Sequence, residues 1–167
     1  LPYLAQRVST IKAPGKKSFQ KLVYFLQEIG VPLGYKYNMY FYGPYSESLS
    51  NDLDELTFEG IINLEQNGLS TLVMPGPVAK GLIDEYQDAI QSFSNEMDFI
   101  CNKLANKSPL ELELLSTIHY IAKKFEYTTS QEIVDKVVEI KQDKFTAEKI
   151  EEGIDELRSL DLLQIIA

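Results

Sequence analysis

Apolar positions in the first part of the chain change from a helical period to an extended one. Residues 18–30, SFQKLVYFLQEIG, place apolar side chains three and four positions apart, which predicts an amphipathic helix ending at Gly30. The next stretch, residues 34–42 (GYKYNMYFY), alternates with a period of two and is rich in aromatic residues, which predicts a strand. The side chains expected to share one face of this strand are Tyr35, Tyr37, Met39 and Phe41.

Turn and capping residues predict a strand end and a helix start in the segment that follows. Gly43 and Pro44 are expected to end the strand, and Ser46 or Ser48 can accept a backbone hydrogen bond as the cap of the next helix. Two short β-like runs then flank an Asn-Gly pair, which predicts a hairpin. The order of helix, strand, helix and hairpin is typical of a winged-helix domain, although the strand lies where that fold usually has a second helix.

Helical patterns fill the second half of the chain. Residues 77–105 predict one long helix, and capping boxes beginning at Ser108 and Thr129 predict two more. Thr146 can cap a final long helix, and the apolar residues 162–166 fit a short terminal strand.

Together these elements predict an α+β fold that is mostly helical. We expect a winged-helix-like module with a small β-hairpin over residues 1–76, a long connecting helix over residues 77–107 and a helical module over residues 108–167. Residues 49–62 and 150–163 align without gaps. This similarity has two interpretations: a second winged-helix-like repeat, or the ordinary likeness of amphipathic helices that precede a strand.

Composition and charge narrow the classes of function. Hydrophobic residues make up 44% of the 167 positions, enough for a packed core, and no apolar run is long enough to span a bilayer. The chain shows no pattern of a signal peptide, so we expect a cytoplasmic protein. The single cysteine, Cys101, cannot form an internal disulfide.

The net charge of −9 is unevenly distributed. Residues 1–48 hold six Lys/Arg and two Asp/Glu, whereas residues 49–167 hold ten Lys/Arg and twenty-three Asp/Glu. A field of this sign repels nucleic-acid backbones at long range. It does not exclude a local basic face near Lys12, Lys16, Lys17 and Lys21.

Residues that carry out chemistry are sparse. His119 is the only histidine and lies beside an apolar helical stripe, so we interpret it as a partly buried, hydrogen-bonded side chain. The chain has no phosphate-binding glycine loop and no nucleophile elbow, and its acidic residues have the spacing of solvated helix faces. We therefore expect no enzymatic activity, no metal and no cofactor.

Five of the ten tyrosines lie between Tyr35 and Tyr45. Such rings can pack in a core, anchor a protein interface or stack on nucleic-acid bases. Only one lysine lies within the tract, which makes base stacking the weakest of the three interpretations. We expect Tyr35, Tyr37 and Phe41 to pack inward. Tyr40, Tyr42, Pro44 and Tyr45 are expected to be exposed at the strand end as a surface that binds another protein.

Three sequence features in this region carry a resemblance to known proteins. KLVYFLQ (residues 21–27), YGPYS (42–46) and a following helix that ends in GII (60–62) resemble the pattern of YwgA-like prokaryotic proteins. More distantly, the pattern is similar to Panacea-type domains, which are associated with mobile elements and toxin–antitoxin systems. The resemblance implies a non-enzymatic binding or regulatory module and transfers no catalytic residue.

Two hypotheses of function follow. The first is a regulatory or adaptor protein that binds another protein, in a mobile-element or toxin–antitoxin context. The alternative is a winged-helix transcriptional regulator, in which Lys16, Lys17 and Lys21 contact phosphates and the helix at 46–59 enters the major groove. That helix carries several acidic residues and no basic one, which disfavours the alternative.

Overall fold

The computed structural model describes residues 1–165, which form two compact units. Unit 1 contains Leu1–Tyr37 and Ser46–Pro109, and unit 2 contains Asn38–Tyr45 together with the described residues from Leu110 onward. These units divide the chain at different positions from the predicted modules, because the short segment 38–45 groups with the C-terminal helices. No helix in the described range is long and apolar enough to cross a bilayer.

The described residues form nine α-helices and four short strands, so the predicted α+β, mostly helical class is confirmed. The helices are α1 (Pro2–Ser9), α2 (Lys16–Glu28), α3 (Glu47–Phe58), α4 (Ala79–Glu85), α5 (Gln87–Gln91), α6 (Ser94–Lys103), α7 (Pro109–Phe125), α8 (Ser130–Lys141) and α9 (Ala147–Ser159). The strands are β1 (Asn38–Tyr40), β2 (Gly43–Tyr45), β3 (Ile62–Asn67) and β4 (Ser70–Pro75). They pair as two antiparallel hairpins, β1 with β2 and β3 with β4.

Helix α2 forms the centre of unit 1. Residues 18–26 are all buried, so neighbouring elements enclose this helix on every side rather than along one stripe. Its polar residues Gln20 and Lys21 are therefore buried together with the apolar ones. The predicted helix is confirmed, but its polar face does not point to solvent.

The β3–β4 hairpin forms where the Asn-Gly pair predicts it. Asn67 pairs with Ser70, so Gly68 and Leu69 make the turn, and Gly68 has the positive φ of 59° that such turns favour. The outer edge of β4 is also covered, because the Val73 amide donates to the Pro14 carbonyl at 2.9 Å. The hairpin thus joins unit 1 through its second strand.

The aromatic segment forms a hairpin instead of one long strand. A strand was expected over residues 35–42, but the chain turns back at Phe41 and Tyr42, and Gly43 begins the returning strand. Gly43 adopts a left-handed φ of 88°, which a residue with a side chain rarely tolerates. The expected inward position of Phe41 is wrong, because a residue in the turn no longer follows the alternation of the strand.

The expected exposure of Pro44 is also wrong. Pro44 lies opposite Met39 in the returning strand and is buried. Proline fits there because a two-stranded ribbon leaves one edge of each strand without a ladder partner.

The single long helix predicted over residues 77–105 is wrong. The chain forms the three shorter helices α4, α5 and α6, and the backbone leaves helical geometry at Tyr86 (ψ 22°) and Phe93 (ψ 25°). Helix α5 has no buried residue, so no packing holds the middle of this segment in one continuous helix. The spacing of apolar residues did not reveal these breaks because short helices keep the same period.

Helix α7 is the most buried helix of unit 2, and α8 and α9 complete the helical part of this unit. The capping box that opens α8 at Thr129 is confirmed, and so is the Thr146 cap of α9. Residues 162–165 form no strand, whereas Ile166, the last residue of the predicted strand, lies outside the described range. The similarity between residues 49–62 and 150–163 falls mainly on helices α3 and α9, and both interpretations of it stay predictions. The winged-helix arrangement stays a prediction.

Replacement of Gly76 tests the close backbone approach that ends the β3–β4 hairpin. A Cβ at this position would overlap the Gly60 carbonyl oxygen and lie 2.7 Å from its carbon, so backbone must move. We expect Gly76→Ala to lower the free energy of unfolding by about 2–3 kcal/mol in chemical denaturation. The matched control is Gly81→Ala, in an open position on α4, which we expect to raise it by about 0.5–1 kcal/mol. Equal stability of the two variants would contradict the close approach.

Candidate functional site

Two glutamines of α2 hold the residues on either side of the aromatic hairpin. The Gln27 amide donates to the Tyr35 carbonyl at 2.9 Å, and the Tyr35 amide donates back to the Gln27 side-chain oxygen at 2.7 Å. Gln20 makes the same pair with Ser46, at 2.9 and 3.1 Å. A carboxamide that satisfies both backbone groups of one residue replaces a strand partner. Seven residues of helix span about 10 Å, so Gln20 and Gln27 bind Ser46 and Tyr35, which both belong to unit 1, at points about that far apart along α2.

One residue of each of two quoted motifs takes part in these amide pairs. Gln27 is the last residue of KLVYFLQ and Ser46 is the last residue of YGPYS, and each motif supplies one partner of an amide pair. Ser46 also accepts from the Leu49 amide at 3.3 Å, which confirms its predicted role as the cap of α3. Gln20 and Gln27 were not among the predicted site residues. Their signal was two carboxamides seven positions apart, and hence on one face of the helix.

The first two rings of the tract pack within unit 1. The Tyr35 hydroxyl donates to the Asp52 carboxylate at 2.7 Å, and the Tyr37 hydroxyl donates to the Gln20 carbonyl at 3.3 Å. Burial raises the pKa of Tyr35, with a further contribution from Asp52, and burial also raises the pKa of Tyr37. Both phenols are therefore held in their protonated form, and their role in unit 1 is structural.

The turn of the aromatic hairpin carries three rings at the surface, and we call Tyr40, Phe41 and Tyr42 the hairpin tip. Their exposed fractions are 45%, 75% and 44%. Tyr40 packs against half-buried Tyr45 with ring centroids 5.4 Å apart, and Phe41 meets Tyr42 edge-on at 4.9 Å. The structure thus exposes Tyr40 and Tyr42 as expected, half-buries Tyr45, and adds Phe41.

A buried ion cluster in unit 2 fixes the backbone of the hairpin tip. Glu113 of α7 accepts from Lys141 at 2.9 Å and from Lys144 at 2.7 Å, and its side chain is only 7% exposed. Lys141, at 3% exposed, also donates to the Phe41 carbonyl at 2.6 Å. Burial lowers the pKa of Lys141, and the hydrogen bond to Glu113 opposes that shift. We call Glu113, Lys141 and Lys144 the ion cluster.

Lys144 joins the ion cluster to the rings. Its ammonium nitrogen lies 5.4 Å from the centroid of Phe41, 4.9 Å from that of Tyr42 and 5.9 Å from that of Phe145. Cations are attracted to aromatic faces at such distances. The hairpin tip therefore presents two exposed rings with a lysine already packed on them.

An open cleft of about 600 Å³ lies beside the hairpin tip. Its walls are Met39, Tyr40, Phe41 and residues 140–144. Gln142, in this wall, has a φ of 50°, which is strained backbone for a residue other than glycine. The cleft, the strained residue, the ion cluster and the exposed rings thus occur together in unit 2.

The structure does not place the three candidate phosphate-binding lysines on one exposed face. Lys21 is 3% exposed, so its predicted contact with a phosphate is wrong: α2 is enclosed on all sides. Lys16 forms an ion pair with Asp54 at 2.8 Å, and only Lys17 is fully at the surface.

The only histidine and the only cysteine of the sequence belong to different units. His119 is buried within α7 of unit 2, whereas Cys101 is buried in α6 of unit 1, where burial raises the pKa of its thiol. Among residues 1–165, no group of three or more His, Cys, Asp or Glu side chains is arranged to hold a metal ion.

Replacement of Glu113 tests the ion cluster. Glu113→Gln keeps the shape of the side chain but leaves two ammonium groups with no carboxylate, and one of them is buried. We expect the free energy of unfolding to fall by about 3–5 kcal/mol in chemical denaturation. The control Glu152→Gln removes an exposed pair with Lys149 and should cost less than about 0.5 kcal/mol. A small effect of Glu113→Gln would show that the cluster does not hold the native state.

The raised pKa values of Tyr35 and Tyr37 predict a loss of stability at alkaline pH. The folded state keeps both phenols protonated, while the unfolded chain releases their protons above about pH 10. Stability is therefore complete below that pH and decreases as the pH rises further. We expect the decrease in unfolding free energy between about pH 9 and pH 11 to be smaller in Tyr35→Phe than in the wild type.

Asp52→Asn serves as the control for this titration. It keeps an acceptor for the Tyr35 hydroxyl but removes the negative charge that raises the pKa, so one tyrosine should ionise at lower pH. Tyrosinate absorbance in the near ultraviolet measures this directly. Identical titration curves for the wild type and both variants would refute the assignment.

Comparison with known proteins supports the sequence resemblance described above. No family model matches the chain. The chain is 29% identical over 149 residues to the uncharacterised protein YwgA of Bacillus subtilis (strain 168), covering 87% of this chain and 86% of that protein. The similarity to Panacea-type domains stays a prediction. The similarity to YwgA is confirmed, and it extends well beyond the three sequence features that first indicated it.

Proposed function

We propose that this protein is a non-enzymatic regulatory or adaptor protein that binds another protein through the hairpin tip. The observation that carries the proposal is the exposure of three neighbouring rings, Tyr40, Phe41 and Tyr42, at a single turn. Aromatic side chains dominate the energetics of protein interfaces because they bury a large area with few rotatable bonds. Exposed together, they leave a sizeable apolar surface in water that a partner would cover.

The anchoring of the hairpin supports the same function. Gln20 and Gln27 fix the residues at its two ends, and Lys141 holds the Phe41 carbonyl at its turn. A loop that is already ordered loses less conformational entropy when it binds. The rings are therefore presented in advance in a geometry that a partner can recognise.

Charge argues for a protein partner over duplex DNA. Helix α3, which a winged-helix regulator would insert into the major groove, carries four acidic residues and no basic one. Of the lysines that would contact phosphates, Lys21 is buried and Lys16 is paired with Asp54. A winged-helix-like shape for unit 1 remains part of the proposal, because helices of this unit precede a hairpin. DNA binding is not part of the proposal. A cytoplasmic location is likewise part of the proposal, and so is a mobile-element or toxin–antitoxin context, which the Panacea resemblance implies.

A pull-down from native cytosol tests the proposal with two matched variants. Phe41→Ala removes the most exposed ring of the hairpin tip, and we expect it to weaken capture of a specific partner by about tenfold or more. Leu69→Ala removes a fully exposed apolar side chain from the turn of the other hairpin and should leave capture unchanged. Both changes are at exposed positions, so thermal unfolding should match the wild type.

Two results would refute this function. One is a partner whose capture is equal for wild type and Phe41→Ala. The other is equal loss for both variants, which would indicate non-specific adhesion of apolar side chains. A mobility shift with duplex DNA under the same conditions would instead support the transcriptional regulator.

A further inference from the structure

We infer that the partner of the hairpin tip is a peptide segment that presents a carboxylate to Lys144 beside an apolar side chain that covers Phe41 and Tyr42. This inference rests on the proposed function and adds the chemistry of the partner. It follows from where the cations and carboxylates of unit 2 lie around the cleft.

The ion cluster contains more cations than carboxylates. Lys141 and Lys144 both donate to Glu113, so two positive charges share one negative charge. Lys141 is enclosed by Glu113 and the Phe41 carbonyl, whereas the Lys144 side chain is 27% exposed. The excess positive charge is therefore accessible only at Lys144, on the side of the rings.

A partner that covers the rings must also cover Lys144. The ammonium nitrogen of Lys144 lies 5.4 Å from the ring centroid of Phe41 and 4.9 Å from that of Tyr42. A side chain that covers both rings therefore also contacts the ammonium. Removing a charge from water is costly unless an opposite charge or hydrogen-bond acceptors replace the water. A carboxylate of the partner supplies both, and an apolar neighbour in the same segment fills the space over the rings.

Asp143 is the acidic residue in the wall of the cleft, so its carboxylate could take the place of the partner's. It lines the same cleft, but its carboxylate forms no ion pair with Lys141 or Lys144. It therefore reduces the local positive potential without occupying the position that a partner carboxylate would take. Removing the Asp143 charge should strengthen the binding of an acidic segment, which gives the inference a gain-of-affinity test.

The net charge of the whole chain predicts the opposite partner. At −9, the protein attracts basic molecules at long range, so a choice based on net charge alone would be a Lys/Arg-rich segment. Contact specificity depends instead on the groups that become buried. Net charge predicts a basic peptide, whereas the groups at the contact predict an acidic one. A selection of peptides therefore shows which of the two determines binding.

The test selects peptides from a phage-displayed library of random sequences on the immobilised full chain. We expect enrichment of Asp or Glu next to aromatic or aliphatic residues. Selection on Lys144→Gln should keep the apolar residues but lose the acidic ones, and Lys144→Arg should keep both. Thermal unfolding of each variant verifies that the fold is intact, since Glu113 retains Lys141 in both.

Affinities of one synthetic wild-type-selected peptide then measure the contact. We expect about a fivefold loss for Lys144→Gln, as for an exposed ion pair, and about a twofold gain for Asp143→Asn. Replacing the acidic residue of the peptide by its amide should cost little further affinity in Lys144→Gln, because the two changes remove the same interaction.

The remaining outcomes separate the two proposals. Neutral or basic peptides that bind wild type and Lys144→Gln equally, but lose affinity for Phe41→Ala, would overturn the carboxylate inference and leave the proposed function standing. Peptides that bind Phe41→Ala as well as the wild type, or no enrichment at all, would overturn both.

Discussion

The fold around the candidate site depends on the two amide pairs that α2 makes with the backbone. Gln20 is fully buried, and its carboxamide satisfies both polar groups of Ser46. A buried donor or acceptor without a partner costs about 1–3 kcal/mol, so loss of one carboxamide would leave two backbone groups to find new partners. These bonds hold a segment of irregular backbone against a helix without a neighbouring strand. They therefore hold Tyr35 and Ser46, the residues of unit 1 that lie before and after the aromatic hairpin in the sequence.

The ion cluster has a different kind of role from these neutral pairs. A buried ion pair is a weak source of stability, because the cost of removing charges from water offsets much of their attraction. Its geometry is nevertheless demanding, since each ammonium must meet its acceptors in specific directions. Lys141 donates one such directional hydrogen bond to the Phe41 carbonyl, in the turn whose side chains are exposed. The cluster thus specifies the position of the turn more than it stabilises the unit.

The elements predicted correctly from the sequence are those that depend on residues close together in the chain. The Asn-Gly hairpin, the Thr129 capping box and the caps at Ser46 and Thr146 depend on residues within a few positions of one another, and all are present. The alternation of the aromatic tract identified an extended segment but not the turn at Phe41. That turn is stabilised by Lys141, which lies 100 residues away. The long helix over 77–105 failed for a related reason, because continuity there depends on packing that the spacing of apolar residues does not encode.

The assignment of the aromatic hairpin to unit 2 has a consequence for how the protein can be divided. The chain enters unit 2 at Asn38, returns to unit 1 at Ser46 and enters unit 2 again at Leu110. A fragment that starts at Leu110 would keep the ion cluster but lack the Phe41 carbonyl to which Lys141 donates. A fragment that stops at Pro109 would keep the aromatic hairpin but lack Lys141 and Lys144. A cut at the Pro109–Leu110 boundary would therefore separate the aromatic hairpin from the lysine that binds its turn.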